Sequence, residues 1–309
     1  MALTTSFNVS PYYDDAAESK DFYRILFRPS YGLQARELTQ LQTLLQYQIE
    51  RGGIHFFENG SKVSGGDLTL DTKVKSLKLE SAFSGTNITI SEFDGKIIDG
   101  GSSGARGQVV KTVAETATDQ PTLYVQLLSA NSFSDGETIS TDETSSVSAN
   151  TTSNTGISGV ENAQSNASIV SITGGVFFVD GFYTQCASQT TVVEKYSSTP
   201  TKRIGLGITE SIVTSTDDSS LLDNATGTTN YAAPGANRFK LALTLEAKDF
   251  DATDPIEKVA DEKFIELMRV ENGEKTKEVK YPLYGELEKT LARRTFDESG
   301  DYTVRPFGL

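Results

Sequence analysis

Residues 22–53, FYRILFRPSYGLQARELTQLQTLLQYQIERGG, constrain the fold more than any other stretch. They open on a short apolar run, Ile25, Leu26 and Phe27, and turn at Arg28, Pro29, Ser30, Tyr31 and Gly32. Leu, Gln, Arg, Glu and Ala then dominate, residues that lose little entropy in a helix, so a helix is expected over 33–51. Leu38, Leu41, Leu45 and Gln48 fall at alternating three- and four-residue steps, a short coiled-coil-like seam. Leu44 and Ile49 widen that stripe, which therefore has more to cover than one thin partner helix. Gly52 and Gly53 are expected to end the helix, because Gly takes a left-handed cap without steric cost.

The rest of the chain reads as strands and turns. Ile54, Phe56 and Phe57 lead into Glu58, Asn59 and Gly60, a hairpin signal, and Lys62 to Leu79 continues as sheet. Residues 83–165 are rich in Gly, Ser and Thr, with short apolar runs that suggest a small inserted β-barrel or sandwich ending in a polar linker from about 140. Residues 168–193 return to sheet, with a turn at Asp180 and Gly181. Phe239 to Leu245 alternates as a half-buried strand, and Asn272 and Gly273 turn a hairpin over 263–281. Pro282 opens a second helix carrying Leu283, Leu287 and Leu291, which Phe296 extends and Gly300 caps. The expected class is α+β, mainly β. The expected units are an extended arm (1–21), a helix-plus-sheet main domain (22–82 with 166–245), the insert (83–165), and a hairpin-plus-helix C-terminal region (246–309).

Charge narrows the function. Forty-two acidic against 28 basic residues give a net charge of −14, and no Lys or Arg lies between Lys111 and Lys195. Nucleic-acid binding needs cations that displace counterions from phosphate, so the balance argues against it. No apolar stretch has membrane-spanning length, and no basic-then-apolar leader begins the chain, so synthesis in the cytosol is expected. The single Cys186 excludes a disulfide framework, and the single His55 leaves a zinc site to carboxylates; both read as structural residues. Gly100 to Gly104 lacks the Lys and Ser/Thr of a phosphate loop, and Gly205-Leu206-Gly207 lacks the third glycine of a dinucleotide turn. Asp249, Asp251 and Asp254 lack the central Gly and closing Glu of a calcium loop. Asp14 and Asp15 read as a solvated turn in place of a general-acid pair. The expectation is a chain without catalytic residues, cofactor or metal.

The motifs FNVSPYYDD, FYRILFRPSYGLQARELTQLQTLLQYQIER with its following Asn-Gly-Ser turn, YAAPGANRFKLALTL and LARRTFDESGDYTVRPF occur in that order. Together they resemble the N-terminal module of tail-fibre and baseplate structural proteins of contractile-tailed phages. The resemblance covers both ends of the chain and skips most of the middle. It implies a structural virion protein, assembled in the host cytoplasm into a tail or baseplate. The partners expected are its own copies, as a homotrimer, and other tail proteins. Relatives of this type usually continue further, so a short member or a piece of a longer product is expected. On this reading Phe7, Tyr12 and Tyr13 of the arm dock, and Leu38, Leu41, Leu45 and Ile49 pack against neighbours. The plainer expectation is that the leucine face covers its own sheet. Two other functions compete. A receptor-binding module would present the insert's loops to a glycan or protein. A polysaccharide-degrading spike would need a carboxylate pair across a groove, and none stands out by spacing.

Overall fold

A computed structural model describes residues 3–143, 147–152, 163–250 and 263–300. The protein is α+β, mainly β, with two α-helices among the described residues, α1 (Ala35–Phe56) and α2 (Glu286–Ser299), and antiparallel sheets. Three sheets enclose one core. Strands Ser61–Gly65, Gly175–Val179 and Phe182–Cys186 form the first, in that order. Gln189–Glu194, Ser168–Ile172 and Leu68–Asp71 form the second. Arg238–Asp249, Lys202–Val213, Phe264–Glu271 and Glu274–Glu278 form the third. Phe177, Val179, Ile204, Leu206, Leu245 and Met268 meet between them, with Cys186 buried beside them.

The insert is a seven-stranded half-barrel with its own core of Leu77, Phe93, Ile98, Leu123, Val125 and Ile139. Its strand order is Ser148–Asn150, Thr138–Thr141, Ile97–Gly100, Arg106–Val113, Thr122–Leu127, Lys75–Lys78, Gln164–Asn166. Two features of it depart from expectation. Lys75–Lys78, expected in the main sheet, pairs with Thr122–Leu127 and Gln164–Asn166, because Leu77 belongs to the half-barrel's core. Ser148–Asn150 and Gln164–Asn166 lie where a linker is expected; each completes an edge with few apolar side chains.

Two hairpins form as their turns predict. Asp180 and Gly181 have φ of 49° and 85°, and Asn272 and Gly273 repeat those values. Both residues in the left-handed region match the right-handed strand twist. The hairpin expected at Asn59 and Gly60 does not form. Ser61–Gly65 pairs instead with Gly175–Val179, more than a hundred residues away, and Ile54 and Phe56 are helical.

The long helix starts at Ala35, where the Gln34 backbone N–H donates to the Glu37 carboxylate at 2.9 Å. It does not stop at Gly52 and Gly53 but runs to Phe56. A Cβ on Gly53 would stand 2.3 Å from the Phe178 ring, so Gly53 is where the helix touches the sheet. Gly52 faces open space. Adjacent glycines should therefore respond with opposite sign. Gly52→Ala should stabilise by up to about 1 kcal/mol through helix propensity. Gly53→Ala should destabilise by about 1–3 kcal/mol through overpacking. Urea-denaturation midpoints of the two variants check this; equal shifts would show that α1 is not seated on Phe178.

The second helix begins at Glu286, later than Pro282, and Leu283 precedes it; Gly300 follows with φ 67°. Asp251, Asp254 and the last extended piece over 302–307 lie outside the described residues, whereas Asp249 ion-pairs with Lys202. No helix among the described residues is long and apolar enough to cross a membrane.

Candidate assembly interface

The arm lies on its own body. The Phe7 ring meets Phe239 edge-on at 5.0 Å, and Asn237 donates to the Tyr12 hydroxyl at 2.6 Å. The backbone N–H groups of Thr4 and Thr5 donate to the Glu210 carboxylate at 3.0 and 2.8 Å, and Lys263 pairs with the same group. Burial pushes the Glu210 carboxyl up, but Lys263 and the two threonines outweigh it and hold the pKa at about 2. Tyr13, at φ 48°, is exposed.

Asp14 and Asp15 are not a solvated turn. Asp14 is buried and accepts from the Thr43 hydroxyl at 2.6 Å; Asp15 accepts from Lys20, Arg36 and Gln40. Glu18 pairs with Arg51 at 2.9 Å. Residues 14–18 thus strap α1 along its length.

These contacts decide which way the helix faces. Gln46 donates to the Gly181 carbonyl at 2.7 Å, Thr43 meets Asp14, and Gly53 meets Phe178. The inward face of α1 is polar or small. Leu38, Leu41, Leu45 and Ile49 point away from the sheet and are exposed, Leu45 by 60%. Among 22 helical residues the only buried one is Gly53. The expectation that the leucine face covers its own sheet is therefore overturned, because polar side chains occupy that contact.

Sequence reasoning missed the extent of this surface. Phe22, Tyr23, Leu26, Phe27, Tyr31 and Leu33, before the helix, are all more than half exposed, Leu26 by 75%. The run FYRILF is the available signal, and on its own it reads only as a short apolar stretch. Helix α2 adds Leu287, Leu291 and Phe296, and it buries no residue. It is fixed to the end of α1: Phe57 stacks on Tyr284 at 6.0 Å, Gly285 N–H donates to the Phe56 carbonyl, and Glu58 N–H to the Leu283 carbonyl, both at 2.9 Å. At roughly 200 Å² for a large side chain, these groups expose on the order of 1,400 Å². The largest apolar patch of a typical monomer is about 300–600 Å².

Other candidates resolve into structure. His55 is exposed at the end of α1, its ring edge-on to Phe56. The Gly100–Gly104 turn cradles a carboxylate of its own chain: Ser102 and Ser103 donate to Glu137 through both backbone N–H groups and both hydroxyls at 2.9–3.1 Å. It is an anion nest already filled. Gly205 sits where a Cβ would strike the Ile265 carbonyl, a packing glycine within a strand. A notch of about 290 Å³ between α1 and α2 is lined by Glu50, Ile54, Phe57, Asp180, Glu286 and Lys289. Burial, then Glu18 and Asp180, push the Glu50 carboxyl up. No group of three or more His, Cys or acidic side chains suited to a metal occurs among the described residues.

Fold and surface define a mainly β protein that carries a two-helix apolar face on one of its sheets. The chain belongs to the family described as a domain of unknown function, DUF4815, which matches residues 10–124 and 126–309. No curated protein and no solved structure matches it.

Proposed function

We propose that this protein is a structural component of a contractile phage tail, acting in the baseplate or in the part of a fibre that attaches to it. It works by subunit packing, without catalysis. Its partners are its own copies, as a homotrimer, and neighbouring tail or baseplate proteins, and it ends in the virion after assembly in the host cytoplasm. The observation that carries the reading is the outward apolar face of α1, held in that orientation by polar contacts behind it. Its area suits an obligate interface, which typically buries about 2,000 Å² or more in total. The phage-tail setting rests on the sequence motifs, FNVSPYYDD to LARRTFDESGDYTVRPF. Two measurements test it. Mass spectrometry of gradient-purified phage particles should find the chain in the tail, and light scattering of the purified chain should give three times its 33.4 kDa mass. Absence from particles, together with turnover of host surface glycans by the chain, would overturn the proposal.

A further inference from the structure

We infer that α1 is the axis helix of the oligomer, packing parallel and in register against the α1 of a second copy; this rests on the assembly reading above. Heptad positions assign the contact. With Leu38 as a, the a and d positions are Leu38, Leu41, Leu45, Gln48, Gly52 and His55. All six are exposed. The b, c and f positions include Gln46, Tyr47, Thr43, Glu50 and Gly53, the side turned to the arm and to the hairpin over 175–186. The helix therefore uses its back for its own body and leaves a complete seam for another helix.

The seam's composition fits a second copy. Gln48 is a polar d residue between Leu45 and Gly52. A buried amide in such a seam is satisfied when it meets its own counterpart, which happens in a parallel, in-register pair. Against a helix shifted by one heptad Gln48 would face Leu41 or His55, and against a reversed helix Leu45, in each case without a second amide. The flanks agree. In the parallel register the g residues Glu37 and Leu44 meet the e residues Gln42 and Ile49 of the neighbour, while the g residue Arg51 stays with Glu18 of its own arm. No like charges face each other, and Leu44 meets Ile49. At Gly52 an added Cβ would meet nothing within 4 Å of its own chain, so that layer has room for a partner helix with Gly or Ala there. The seam is part of a larger apolar surface with residues 22–33 and α2, and that surface as a whole exceeds what a standard interface buries per partner, about 800 Å². A symmetric arrangement about an axis along α1 closes on itself, so no open filament results.

Cysteine cross-linking of the full chain tests this, since the one native thiol, Cys186, is buried. Gln48→Cys and, as an independent second position, Leu45→Cys should each be joined to their counterparts by a short bismaleimide. Most of the chain should then run at double mass or above on a denaturing gel. A mixture of Leu38→Cys and His55→Cys chains should give no mixed product. Mixed product would mean antiparallel packing and overturn the inference. An oligomeric wild type in which neither position 45 nor 48 cross-links would overturn it too, while leaving assembly intact. A monomeric wild type at micromolar concentration would remove both.

Discussion

Replacing Leu41 and Leu45 together by glutamate should yield a folded chain that no longer self-associates at micromolar concentration. Both side chains are exposed in the single chain, Leu41 by 37%, and neither belongs to a buried core cluster, so the fold loses little. In the assembly the two leucines together would lose about 1.5–3 kcal/mol of burial, since each is already partly covered in the single chain. Each glutamate would further have to shed its hydration beside the same residue of another copy. A loss of about 4 kcal/mol per helix contact lowers the association constant about a thousandfold. Light scattering should report a single-chain mass, and the circular dichroism spectrum should keep its strand signal. The paired control is Glu288→Lys on the exposed side of α2, which should leave mass unchanged. If the double variant keeps the wild-type mass, α1 is not the assembling surface.

How far the sequence was legible depended on how local each cause was. The hairpins at Asp180–Gly181 and Asn272–Gly273 were readable because two adjacent residues set the turn. The helix was readable from its composition, but its end was not. Gly52 and Gly53 look like a stop until Phe178, 125 residues further on, is known to need the space beside Gly53. The partner of Ser61–Gly65 was hidden for the same reason, since Gly175–Val179 lies beyond the whole insert. Asp14 read as solvated because Thr43, which buries it, is 29 residues away. The apolar seam of α1 was visible in its spacing. Its direction was not, because that depends on which polar groups of the arm and sheet claim the other face.

The second large effect is expected at Asp119, which joins the half-barrel to the body. Its carboxylate accepts from Lys78 and Lys195 at 2.9 Å and from the Tyr196 hydroxyl at 2.7 Å. Lys78 belongs to the half-barrel's strand Lys75–Lys78; Lys195 and Tyr196 follow the body strand Gln189–Glu194. The Lys78 side chain is only 3% exposed and that of Asp119 14%. Removing one partner of a buried pair leaves the other charge uncompensated, which costs about 3–5 kcal/mol. Here Lys195 can turn to water and Lys78 keeps the Tyr196 ring at 4.5 Å, so Asp119→Ala should cost about 3 kcal/mol. The pH dependence identifies the cause. Burial raises the Asp119 carboxyl, but the bonds from Lys78, Lys195 and Tyr196 together bring it from 3.8 to about 2. A carboxyl lowered by folding stabilises the native state above its unfolded pKa, and that contribution fades as pH falls from about 4 to about 2. A shift of roughly two units corresponds to about 2.5 kcal/mol. Urea melts of wild type and Asp119→Asn should thus differ most at neutral pH and converge toward about pH 2. Glu210, also held at about 2, keeps part of the acid dependence in the variant. A stability gap between wild type and Asp119→Asn that stays constant from neutral to acid pH would mean that shape, and not charge, holds the half-barrel in place.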